Sequence, residues 1–143
     1  MLNPEVIESL SEANQVLSSL VVAVQQKLNE SRFFDNAYLS DDVLHSLDYA
    51  INIASEMLKI LEDEYVKLGG KKIKQMNVET DNIVDAVVNM DMVITFLWDM
   101  EKFVARYESD PLNATGIAYN NMLMVVSLLR SVRKFVAWAV RVA

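Results

Sequence analysis

Residues 44–70 read LHSLDYAINIASEMLKILEDEYVKLGG. Apolar residues in this stretch recur at alternating spacings of three and four, which is the spacing of one face of an α-helix. The two glycines at its end predict a helix stop, because glycine adopts the left-handed conformation after a helix C-terminus at little cost. Ser40 is the expected N-cap, followed by acidic residues in the first turn. The predicted face consists of Leu44, Leu47, Ile51, Ala54, Leu58, Leu61, Tyr65 and Leu68.

A first helix is predicted upstream of this stretch, from Pro4 to Glu30. Asn3 is a suitable N-cap and proline is favoured at the first helical position. Apolar residues from Val6 to Val24 again recur four and three apart, at coiled-coil-like spacing. Residues 31–39 then form a connection, whose aromatic side chains we expect to pack over one end of a helical bundle: Phe33, Phe34 and Tyr38.

Two more helices are predicted downstream. The third begins between Lys71 and Thr80 and ends near Glu108, and the fourth starts at Pro111 with Asp110 as its N-cap. Short connections make consecutive helices antiparallel neighbours. The sequence therefore predicts an all-α fold, an antiparallel bundle of about four long helices in an up-down-up-down order, forming a single domain over residues 1–143.

The composition restricts both the chemistry and the compartment. The chain contains no cysteine, so disulfides, thiolate metal sites and cysteine nucleophiles are excluded. Its first residues lack the basic and apolar regions of a secretory signal. The densest apolar run, from Met122 to Leu129, is too short to span a bilayer. We therefore expect a cytoplasmic protein.

Charge is distributed unevenly along the chain, whose net charge is −7. Residues 1–110 hold nine Lys and Arg against 20 Asp and Glu, whereas residues 111–143 hold four Lys and Arg and no acidic residue. An acidic body argues against direct binding of nucleic acid. The last helix therefore offers the one stripe where an anionic partner could dock: Arg130, Arg133, Lys134 and Arg141.

The sequence carries no complete catalytic or metal-binding motif. A di-iron bundle needs a Glu-x-x-His motif on two helices, and none is present. The single histidine, His45, has three aspartates within four residues and is interpreted as an exposed residue near a helix start. Glu5 and Glu8 match half of the magnesium pattern of helical nucleotide pyrophosphatases, but the Glu-x-x-Asp half is missing. We therefore predict no catalytic residue, no cofactor and no metal.

The fourth predicted helix carries two apolar stripes about 80° apart, although a bundle helix ordinarily needs one. The first stripe runs from Ala118 to Ala139 and can fill a bundle core. The second implies either that this helix is central or that it makes an intermolecular contact. We predict the contact, with four interface residues: Met124, Leu128, Phe135 and Trp138. Both tryptophans of the chain, Trp98 and Trp138, are candidate interface anchors.

These observations favour a non-enzymatic helical protein–protein interaction module that forms a homo-oligomer or binds another protein. One alternative is a small acidic inhibitor or adaptor, of the phage or mobile-element type, that occupies a basic nucleic-acid-binding surface of a partner protein. The less favoured alternative is peripheral membrane binding through the basic amphipathic C-terminal helix.

Overall fold

The fold consists of five α-helices and one short 3₁₀ helix in a computed structural model that describes residues 1–142. No strand is present among those residues, which confirms the predicted all-α class. Four of the α-helices pack as a bundle, and α4 is a single short helix at one end. The helices are α1 (Pro4–Phe34), α2 (Asp41–Lys67), α3 (Ile83–Met100), α4 (Phe103–Ser109) and α5 (Pro111–Val142), with the 3₁₀ helix at Asn36–Tyr38.

Helix α1 begins as the sequence predicts and ends later. The Asn3 side chain accepts a hydrogen bond from the Val6 N–H at 2.9 Å, which satisfies one of the free donors of the first turn. The helix continues to Phe34, beyond the predicted end at Glu30. The prediction that the aromatic residues of this connection pack over the bundle end is wrong, because all three are exposed: Phe33, Phe34 and Tyr38.

The end of α2 confirms the predicted glycine stop. Gly69 adopts a φ of 101°, a conformation that favours glycine. Its N–H donates to the Val66 carbonyl at 3.0 Å, and the Gly70 N–H donates to the Tyr65 carbonyl at 2.8 Å. This pair of bonds is the Schellman arrangement, which satisfies carbonyls that the last helical turn leaves free.

Residues 70–82 form a non-helical crossing segment that runs along α5. The Ile73 N–H donates to the Tyr119 hydroxyl at 3.0 Å, and further on Thr80 hydrogen-bonds to Ser131. The segment therefore runs parallel to α5 and carries the chain back along the bundle. The predicted start of the third helix between residues 71 and 80 is wrong, because these residues are not helical and α3 begins at Ile83.

The crossing segment changes the order of the helices. Tyr119 and Arg133 of α5 bond to Glu62 and Asp48 of α2, so α2 and α5 are antiparallel. Helix α3, which starts after the crossing segment, runs in the same direction as α2 and antiparallel to α1 and α5. The neighbours around the bundle are α1, α2, α5 and α3. The order is therefore up-down-down-up, and the predicted up-down-up-down order is wrong.

The predicted third helix is also broken near its end. The N–H groups of Glu101 and Lys102 donate to carbonyls three residues earlier, both at 3.1 Å, in a tight turn that ends α3. The Leu97 carbonyl accepts instead from the Asn14 side-chain amide at 3.1 Å. Helix α4 then packs across the end of the bundle against α5.

The two ends of the bundle are named by the residues they hold. The proximal end holds residues 1–4, 64–70 and 100–112, and the distal end holds residues 33–42, 81–84 and 138–142. Helix α5 is the central element, because it packs against α2, α3, α4 and the 3₁₀ helix. This central position decides which of its side chains remain at the surface.

Candidate interaction surfaces

The structure separates the four predicted interface residues of α5. Leu128 is 1% exposed and Phe135 is 6% exposed, so both belong to the core of a single chain. Met124 is partly buried against that core, and Trp138 is 48% exposed. The predicted contact through Leu128 and Phe135 is therefore corrected: because α5 is central, its second stripe faces α3 and the crossing segment. Trp138 and part of Met124 are what remains of the predicted surface.

Trp138 forms one wall of a distal groove of about 500 Å³ between α5 and the crossing segment. Its ring lies 6.0 Å from the ring of Phe135, measured between centroids. The groove is lined by apolar side chains, among them Val78 and Phe135, and by charges of both signs: Glu79 and Asp81 of the crossing segment, and Lys134 and Arg141 of α5. The structure therefore brings residues of the predicted interface and of the predicted cationic stripe into one groove.

The predicted cationic stripe is divided by an internal ion pair. Arg133 binds Asp48 of α2, with 2.9 Å between Nε and Oδ1. Its three companions have no carboxylate within 4 Å among residues 1–142: Arg130, Lys134 and Arg141. Part of the stripe thus stabilises the packing of α5 on α2, and the rest is accessible to a partner.

Helix α3 carries an exposed apolar surface, of which only Trp98 was predicted from the sequence as a candidate interface anchor. Trp98 is 66% exposed, more than any other apolar side chain of this helix. Val84, Val88 and Met92 are 43%, 49% and 40% exposed. The sequence itself indicates an exposed apolar surface on this helix, because apolar residues occupy more than one face of α3. Its only charged residues are three aspartates. Tryptophan is highly buried on average, so its exposure here is informative.

The exposed side of α3 adjoins a polar and uncharged side of α1. The Gln25 side chain of α1 donates to Asp91 of α3, and Asn14 reaches the backbone of α3. On each helix the residues beside these contacts recur four and three apart, so they form two adjoining rows. We define the α1–α3 face by these rows: Ser11, Gln15, Ser18, Val22, Gln25 and Asn29 on α1, and Val84, Val88, Asp91, Thr95 and Trp98 on α3.

Buried polar groups at the proximal end bond to one another. The Tyr107 hydroxyl donates to Glu64 Oε2 at 3.0 Å and accepts from the Leu2 N–H at 2.7 Å. Burial raises the pKa of Tyr107, and its bond to Glu64 acts in the same direction. The Tyr119 hydroxyl similarly donates to Glu62 at 2.9 Å, and burial raises its pKa. These bonds connect α2 to α4 and α5, which is a structural role.

A second polar cluster fixes α4 against α3 and α5. Arg106 donates to both carboxylate oxygens of Asp99, at 2.9 and 3.0 Å, and Asn121 donates to Asp99 Oδ2 at 2.8 Å. The bond from Arg106 lowers the pKa of Asp99, and the bond from Asn121 adds to this effect. The planar guanidinium suits such a bidentate contact. The cluster holds the three helices together at the break after α3.

Residues 1–142 hold no group of three or more His, Cys, Asp or Glu side chains placed to bind a metal ion. His45 is exposed on the first turns of α2. Within the same residues, no helix has both the length and the apolar character needed to cross a membrane. Comparison with models of known protein families gave no match, and comparisons with curated proteins and with solved structures gave none either.

Proposed function

We propose that this chain is a non-enzymatic protein-interaction module that self-associates or binds another protein. The observation that carries the proposal is the exposure of both tryptophans, Trp98 at 66% and Trp138 at 48%. Tryptophan is enriched among the residues that dominate binding energy at protein interfaces. Each lies within a larger surface: Trp98 on the α1–α3 face and Trp138 in the distal groove.

The polar clusters at the proximal end support the non-enzymatic part of the proposal. A catalytic acid or base must reach a substrate, with its pKa matched to the proton that it transfers. Glu64 and Asp99 instead hydrogen-bond to Tyr107 and Arg106, and these bonds join helices. Both carboxylates thus act in packing.

Sedimentation velocity tests the proposal with the chain alone. Between about 1 and about 100 µM, the range in which a small interface is half-occupied, the mean mass should rise from that of one chain towards that of two or more. Tryptophan emission should shift to shorter wavelength over the same range, because burial removes the ring from water. A single monomeric species with unchanged emission across this range would contradict self-association.

A further inference from the structure

The α1–α3 face is nearly free of charge on a strongly acidic chain. One of its eleven residues, Asp91, is charged, whereas 23% of all residues in the chain are. That carboxylate already accepts a hydrogen bond from Gln25. The face thus presents apolar and uncharged polar side chains over two neighbouring helices, bordered at the proximal end by Glu101.

We infer that the α1–α3 face binds the same face of a second copy of this chain, forming a two-fold homodimer. The inference rests on the proposed function, because it names the surface and the partner for self-association. In a two-fold dimer the same patch is used by both copies, so the patch must complement itself. A patch with a single charged residue does so with few opposed like charges.

Charge favours a second copy at this face over other parts of the surface. Two chains of net charge −7 repel each other wherever their acidic residues come close. Contact through the α1–α3 face brings one carboxylate of each copy, Asp91, into the contact itself. A basic partner, by contrast, would find few carboxylates on this face to bind.

The size of the face fits a weak dimer. The 18 residues of α3 give a length of about 27 Å, and two helices packed side by side give a width of about 20 Å. The contact then covers on the order of 500 Å² on each copy, or about 1,000 Å² in total, which is the lower limit for a specific interface. Trp98 adds a large anchor near one end of it.

The two tryptophans provide a matched pair of variants. We expect Trp98→Gln to raise the dimer dissociation constant by about tenfold or more, as for an anchor at an interface. Trp138→Gln, an equivalent change in the distal groove, should alter it less than about threefold, as for a residue outside the contact. Sedimentation equilibrium gives the dissociation constants, and circular dichroism confirms that both variants keep their helices.

The opposite pattern would overturn the inference and leave the proposed function standing. A dimer weakened by Trp138→Gln and indifferent to Trp98→Gln would place self-association in the distal groove. A monomeric wild type would overturn self-association itself, and with it this inference, whatever other protein the face binds.

Distances between spin labels give a second test, which is made on the intact dimer and does not depend on weakening it. The chain has no cysteine, so single cysteines can be introduced and labelled cleanly. Labels at Thr95→Cys, on the face, should lie on the order of 20 Å apart in the two copies, about two helix diameters. Labels at Glu56→Cys, on the exposed side of α2, should lie much further apart. A short distance at position 56 and a long one at position 95 would overturn the inference.

Discussion

The ring of Tyr65 lies between two glycines at the proximal end. A Cβ atom placed on Gly70 would be 2.4 Å from this ring, and one on Gly116 would be 3.0 Å from it. The ring also packs against Tyr119, with 5.5 Å between centroids. The missing side chains at the two glycines therefore let α2 and α5 approach closely where the crossing segment begins.

Replacing Gly70 by alanine should destabilise the fold through this ring. We expect Gly70→Ala to lower the free energy of unfolding by about 1–3 kcal/mol, the usual cost of overpacking a filled site. Urea denaturation measures the change. In a Tyr65→Ala background the same substitution should cost much less, because its clash partner is gone. Equal costs in both backgrounds would show that the ring is not the cause.

Asp99 should make stability depend on pH below neutrality. Its hydrogen bonds from Arg106 hold its pKa in the folded chain below the usual value near 4. As pH falls, Asp99 therefore becomes protonated in the unfolded chain at a higher pH than in the folded chain, and this protonation favours unfolding. Ionised Asp99 thus contributes to the free energy of unfolding above its unfolded pKa, and this contribution is lost as pH falls from about 4 through the folded pKa.

The measurement compares wild type with Asp99→Asn by urea denaturation between about pH 6 and about pH 2.5, a range that brackets the carboxyl pKa. The difference in stability between the two should be largest near neutrality and shrink in acid. A difference that does not vary with pH would show that ionisation of Asp99 contributes nothing.

At the scale of helices, the central position of α5 explains its two apolar stripes. The four residues of the predicted interface include both core and surface residues. A charged substitution should therefore lower stability much more at a core residue than at a surface residue. Leu128→Glu would bury an unpaired carboxylate at a position that is 1% exposed, which costs several kcal/mol. Trp138→Glu changes a half-exposed residue, and we expect a loss of about 1 kcal/mol or less.

Circular dichroism with thermal unfolding checks this pair. The Leu128→Glu variant should lose its helices or melt well below wild type, whereas the Trp138→Glu variant should melt close to it. A folded, stable Leu128→Glu variant would mean that the side chain can reach the surface, as the original interface prediction required.

Local signals in the sequence predicted the capped start of α1 and the glycine stop of α2 well, and the packed face less well. The cap at Asn3 and the stop at Gly69 depend on neighbouring residues alone. The packed face of α2 depends on its neighbours: apolar residues flank the central row on both sides, and the structure buries Ala50 and Met57 in preference to Ile51 and Leu58. Helical spacing cannot distinguish these two sides, because both lie beside the same row.

The order of the helices could not be predicted from local signals in the sequence. Residues 71–82 show no strong period, and their path along α5 depends on contacts with residues more than 45 positions away. The same limit applied to the candidate surfaces. Whether Trp98 or Trp138 is exposed depends on which helix is central, and the sequence alone left that choice open.

At the scale of the whole molecule, charge separates the two surfaces. The α1–α3 face carries one charged residue, whereas the distal groove is lined by acidic and basic residues. A two-fold contact through the groove would pair Glu79 or Asp81 of one copy with Lys134 or Arg141 of the other. Such pairs attract, whereas the net charge of −7 repels in either arrangement.

Salt should therefore strengthen the dimer if it forms through the α1–α3 face. Raising NaCl from about 0.1 M to about 1 M shortens the Debye length from about 10 Å to about 3 Å and screens the repulsion between the two acidic bodies. We expect the dissociation constant from sedimentation equilibrium to fall by about three- to tenfold, since few attractive charge pairs are lost.

The double variant Lys134→Gln with Arg141→Gln makes each copy more acidic, so it should weaken the dimer at low salt and match wild type at high salt. Weakening of the wild-type dimer by salt, together with loss of the dimer in the double variant at every salt concentration, would instead place the contact in the distal groove.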